Sequence, residues 1–186
     1  HAENALDYGR NNNLAISALV IALREIGETE KADNILKEQL EKDTLDHMAR
    51  YLSNDKSFYA VMDSDAVQTC LDIAFDLSAM GRYEDIISLL EGAISYCGCN
   101  QKKMAYYTLG YYKFLVGKDG SEEYKNAENA VLGSAYPVRI EEQKILEDVI
   151  SKTNSKTAKM LLGCLLYNKL HYNKAAELWE QCDDYI

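Results

Sequence analysis

A single proline and ten glycines in 186 residues leave this chain few breakers, which favours long helices over short strands. No apolar run approaches the roughly 20 residues needed to cross a bilayer. The opening stretch "HAENALDYGR" lacks the basic-then-apolar order of a signal peptide. It also lacks a starting Met, and it reads as the beginning of a segment cut from something longer. No run of basic residues exceeds the pair Lys102-Lys103, and the net charge is −10. That field repels a phosphate backbone and an anionic lipid surface, so neither nucleic acid nor membrane is an expected partner. Five cysteines, an odd number without dense spacing, do not make a secreted disulfide scaffold. They read as reduced thiols in a cytoplasmic protein.

What is present is helical periodicity that repeats. Hydrophobic residues form 47% of the chain, enough for a substantial core, and charges of both signs are interspersed. In "GRYEDIISLLEGAISY", Gly81 is followed by Tyr83, and Ile86, Leu90, Ala93 and Ile94 fall on one helical face. Tyr172, Ala175 and Trp179 repeat that spacing near the end, and Gly27, Ala32 and Leu36 repeat it near the start. Each segment follows another apolar-periodic helix. A further pair is "MAYYTLGYYKFLVG" with "SEEYKNAENAVLG". Two of the first helices carry a Leu-Gly pair, Leu109-Gly110 and Leu162-Gly163, where glycine lets the next helix pack close.

This pattern resembles the tetratricopeptide repeat: two antiparallel helices, a Leu-Gly pair in the first, and a small residue then a large one four later in the second. The resemblance implies an all-α, right-handed superhelix of about four helix pairs, one repeat domain over 1–186. The units fall at about 13–44, 67–100, 103–133 and 156–186. Gly27 to Gly81 is 54 residues and Gly110 to Gly163 is 53. The ideal unit is about 34, so each interval carries an insert of roughly 20 residues. The first insert, 45–64, predicts a short helix over 45–52 and then a loop. The second, 134–155, predicts one helix starting just after Pro137.

A narrower resemblance rests on "LEKDTLDHMARYL", "SAYPVRIEEQKILEDVI" and "LLYNKLHYNKAAELWEQ", in that order. Together they are similar to the C-terminal repeat region of large bacterial proteins of a family of unknown function. In that family a β-rich, carbohydrate-enzyme-like domain precedes the repeats. Where the family usually has an aromatic in the first motif, this chain has Met48. The resemblance implies a longer, carbohydrate-related parent chain and an accessory role for these repeats beside its enzyme domain.

Residues with chemical potential are few. Cys97 and Cys99 in "YCGCN" could hold a soft metal, but a closed site needs two more ligands. Cys164, Cys182, His47 and His171 lie far along the chain. The simpler reading is a helix end capped by Gly98. Cys70, Cys164 and Cys182 sit on apolar helical faces, as small hydrophobes do. The acidic pairs Glu122-Glu123, Glu141-Glu142 and Asp183-Asp184 are neighbours on helix surfaces and point apart, whereas glycoside hydrolysis needs two carboxyl groups across one sugar. "GKDG" at 117–120 lacks phosphate-loop spacing and reads as a turn before Ser121, the expected N-cap. No catalytic residue, metal or cofactor is expected.

The functional expectation is therefore a surface. In stacked hairpins the first helices line the concave side. The repeat's groove-facing positions carried onto this chain are Leu71, Asp72 and Phe75, then Tyr107, Thr108, Tyr111 and Phe114, then Met160, Leu161, Cys164 and Tyr167. This face is aromatic and apolar. It lacks the Lys and Asn with which some such repeats clamp a peptide carboxylate. The expectation is a non-catalytic scaffold that binds a protein segment or a neighbouring domain of its parent. The last repeat offers a second contact, a homodimer through its outer face. The competing reading is that "MAYYTLGYYKF" packs against the helix at 138–151 as core, since 14 tyrosines cannot all line a groove.

Overall fold

The computed structural model describes residues 12–62, 66–96, 102–133 and 136–182. Among them are ten α-helices and no strand. They are α1 (Asn13–Glu25), α2 (Thr29–Lys42), α3 (His47–Leu52), α4 (Ala66–Ala79), α5 (Tyr83–Tyr96), α6 (Lys103–Leu115), α7 (Ser121–Asn129), α8 (Ile140–Thr153), α9 (Lys156–Asn168) and α10 (Tyr172–Glu180). The fold is all-α and built of helical hairpins, as the repeat spacing predicts. The chain divides into two compact units, 1–64 and 65–186.

In the first unit, Asn12 caps α1 by accepting a hydrogen bond from the Ala15 amide at 3.1 Å. α1 packs on α2, and Val20 and Leu23 of the first and Ala32 and Leu36 of the second are buried. The short insert helix is α3, which rests on both. Asp46 caps it through the Ala49 amide at 2.9 Å and accepts from buried Gln39 at 2.8 Å. Residues 53–62, expected as a loop, form turns and send Phe58 and Met62 into the core.

The first three hairpins turn in one way. Gly27, Gly81 and Gly117 have φ of +85°, +73° and +78°. The next amide in each case reaches back into the first helix: Glu28 to the Leu23 carbonyl, Arg82 to Leu77 and Lys118 to Lys113, at 2.8, 2.9 and 2.8 Å. This left-handed ending satisfies carbonyls that the helix leaves open. The fourth hairpin makes the same turn, with His171 bonded to the Leu166 carbonyl at 2.9 Å. There, however, the left-handed residue is Leu170, φ +66°, and it is largely exposed. A side chain in that region costs about 1–2 kcal/mol, and glycine returns part of this as unfolded-chain entropy. Leu170→Gly is therefore expected to stabilise the chain by about 0.5–1 kcal/mol, read as a higher urea midpoint at unchanged slope.

In the second unit α4–α5, α6–α7 and α9–α10 are the hairpins, and α5 packs on α6. The Leu-Gly pairs do what their spacing predicts. A Cβ on Gly110 would lie 2.5 Å from the Tyr124 ring and 2.9 Å from the Gly120 carbonyl. One on Gly163 would lie 2.3 Å from the Trp179 indole nitrogen. Ala175 is fully buried, while Trp179 is half-buried and donates from Nε1 to the Met160 carbonyl at 3.2 Å. One local expectation is corrected: Ser121 is the first helical residue of α7 and Gly120 holds the cap position. The Asp119 carboxylate accepts from the Ser121 amide and hydroxyl at 3.0 and 2.7 Å.

The second insert is α8, whose first turn is fixed by Glu142. This buried carboxylate accepts from the Val138 and Arg139 amides at 2.6 and 2.8 Å. Burial pushes its carboxyl up, and the two amides oppose that. The helix ends at Asn154 in a left-handed conformation. Ile145, Leu146 and Val149 are fully buried, because α8 packs against α6 and α9. The insert is thus part of the core of this unit.

Candidate functional site

The placement of α8 decides what remains of the expected groove. Arg139, just before α8, pairs with Asp72 at 2.9 Å and lays its guanidinium 5.6 Å from the centre of the Phe75 ring. Leu71 and Phe75 are buried beneath this level. At the other end of α8, Lys152 stands 4.8 Å above the Phe114 ring and pairs with Asp148. Asp148 also accepts from the Tyr124 hydroxyl at 2.5 Å. Burial, followed by that carboxylate, holds the Tyr124 phenol far above its ordinary range.

Tyr107 is buried completely. Its hydroxyl donates to Glu128 at 2.5 Å, and Ser155, the N-cap of α9, donates to the same oxygen at 2.7 Å. Its ring meets Tyr124 edge-on at 6.2 Å. Leu71, Phe75 and Tyr107 are therefore corrected from groove to core: each is enclosed by the chain's own helices. Thr108 and Leu161 are buried likewise. Phe114 is half-buried, edge-on to Tyr124 at 5.5 Å.

The rest of the predicted set is not brought together. Met160 and Cys164 are half-buried on α9. Tyr167 is exposed, with its ring 5.0 Å from Tyr172 and 5.8 Å from Trp179. Asp72 is half-buried and held by Arg139. Tyr111 opens onto a cavity, a cleft of about 320 Å³ lined by Ser78, Tyr83, Tyr111, Tyr112, Leu115, Ile140, Glu141 and Lys144.

That cleft is what α8 leaves uncovered beside α5 and α6. Tyr83 and Tyr111 are partly open, and Leu115 and Ile140 are 48% and 59% exposed. Tyr112 is buried behind them, and burial pushes its phenol and that of Tyr111 up, so both are neutral hydroxyls near pH 7. The sequence reading missed the other seven lining residues, among them Tyr83 and, on or beside α8, Ile140, Glu141 and Lys144. The signal for Tyr83 was its place two residues after Gly81, which puts it in the first turn of α5. Nothing local marks the other three, because only tertiary packing brings α8 to this face.

Little else supports chemistry. Among the described residues no group of three or more His, Cys, Asp or Glu side chains could hold a metal. Cys97 and Cys99 lie outside the described residues, as do Asp183 and Asp184. Cys70 and Cys182 are buried, and Cys164 is half-buried. Glu123 is bound to Lys113 at 2.7 Å, and Glu142 is spent on its own helix start. No described helix is long and apolar enough to cross a membrane.

No family model matches the chain, and no curated protein does. Among solved structures, one titled MamA RS-1 ArsTM double mutant is similar over 98% of this chain and 80% of its own, at 13% identity and a TM-score of 0.29. A likeness of that size bears on neither fold nor function.

Proposed function

We propose that this chain is a non-catalytic interaction scaffold, and that it takes a protein segment at the cleft between α5, α6 and the start of α8. The observation that carries this reading is that Tyr83, Tyr111, Leu115 and Ile140 stay open together around one concavity. Tyrosine suits such a place because its ring gives contact area while its hydroxyl stays solvated. Among the described residues the cleft has no thiol or imidazole on its walls, and its carboxylate, Glu141, has no facing partner carboxylate. Its chemistry is that of contact.

A photoreactive benzophenone side chain placed at position 111, in cells that make this protein, is expected to capture a discrete polypeptide. The same group at Glu177, exposed on α10, should capture none, and Ile140→Asp should abolish the product at 111. Identical patterns at 111 and 177 would overturn the assignment of this cleft.

A further inference from the structure

Three tyrosine rings meet at the cleft and form a corner. The Tyr112 ring centre lies 5.6 Å from that of Tyr83 and 5.3 Å from that of Tyr111, with interplanar angles of 36° and 82°. Tyr83 and Tyr111 are the partly open rings of the three, and open aromatic rings suit an ammonium or guanidinium group.

The charges nearby favour a cation as well. Glu141 stands on the wall and makes no ion pair among the described residues. Asp76, on α4, has a carboxyl pushed up by burial, with Asp72 and Glu141 adding to this and Arg139 opposing it. Arg139 is already committed to Asp72 and to the Phe75 face. Arg82 is held by Asp85, and Lys113 by Glu91 and Glu123. Among the described residues that line the cleft the cation is Lys144, at the end of a flexible stem.

We infer that the Tyr83–Tyr111–Tyr112 corner, with Glu141 at its rim, receives a lysine or arginine side chain from a basic protein segment. This rests on the proposed function and names its partner's chemistry. About 320 Å³ admits a cationic head and part of its aliphatic stem. The net charge of −10 draws such a segment in. Lys144 then acts as a resident competitor, and its removal has a predicted sign.

The test uses two pentapeptides of otherwise identical sequence, one with a central lysine and one with norleucine, which keeps the stem without the charge. Tyrosine-ring NMR on the full chain reads binding. The lysine peptide should give saturable shifts at Tyr83 and Tyr111 and bind about tenfold tighter than the norleucine peptide. Lys144→Gln should tighten it and Glu141→Gln weaken it, each by about threefold. Tyr83→Leu should remove the preference for charge while circular dichroism stays unchanged. Equal binding of both peptides, or no shift with either, overturns the inference. Cross-linking separates the two levels: a segment captured at 111 that lacks Lys and Arg sinks this inference alone, and no capture at all sinks the reading beneath it.

Discussion

Tyr107→Ala should cost about 3–5 kcal/mol of stability, the range for deleting a large ring from a packed core. Such a loss approaches the whole stability of many domains, so the second unit should be partly unfolded at 25 °C. The expectation follows from two features of one side chain. The ring is fully buried against Tyr124, and its hydroxyl shares Glu128 with the cap of α9. Tyr107→Phe separates them. It keeps the ring and removes one charge-assisted hydrogen bond, at about 1.5–3 kcal/mol. Glu128 would retain its bond from Ser155, which favours the lower end of that range. Urea denaturation of the three proteins measures both steps. An alanine variant within about 0.5 kcal/mol of the parent would show that the ring fills no core and return Tyr107 to the surface.

The same residue shows where sequence reading succeeds and where it stops. The hairpins were legible because their signals are local. Gly81 two residues before Tyr83, the Leu-Gly pairs and Pro137 ahead of a periodic stretch each fix one turn or one close approach. The described residues accordingly form an all-α fold of helical hairpins. The open face was not legible, because it depends on where α8 lies. That placement is made by pairs distant in sequence, such as Arg139 with Asp72 and Tyr124 with Asp148. Tyrosine adds its own ambiguity. In a groove its hydroxyl meets water, while in this core Glu128 and Asp148 accept from it equally well. The reading that "MAYYTLGYYKF" packs against the insert describes α6 better than the groove does. Tyr111 is the exception.

An inserted helix that covers part of a repeat's inner face also restricts what the face can bind. A continuous strip of first helices could take a long partner segment. Here Ile145, Leu146 and Val149 are fully buried as α8 packs against α6 and α9, and each such side chain contributes about 1.5–3 kcal/mol. A partner would have to replace all three to displace the helix. A pocket-sized contact at the end of α8 is the arrangement that leaves this packing intact, and it is why the expected effects at Tyr83, Glu141 and Lys144 are on binding and not on folding.

Gly110→Ala should destabilise the chain by a net 2–3 kcal/mol, although alanine is the better helix former by about 1 kcal/mol. The added methyl would sit 2.5 Å from the Tyr124 ring and 2.9 Å from the Gly120 carbonyl. Neither neighbour yields easily. Tyr124 is fully buried and tethered through its hydroxyl to Asp148, and Gly120 is backbone at the cap of α7. Relief therefore requires α7 to move away from α6, which would loosen the contacts of Ala127 and the bond that Lys103 makes to its carbonyl at 2.5 Å. Comparing Gly110→Ala in the parent and in a Tyr124→Leu background tests this account. Removing the ring should recover only part of the loss, since the Gly120 backbone still opposes the methyl. Full recovery would place the whole clash on Tyr124. A stabilising Gly110→Ala would mean that α6 and α7 are not in close contact there, and the hairpin packing of this repeat would have to be redrawn.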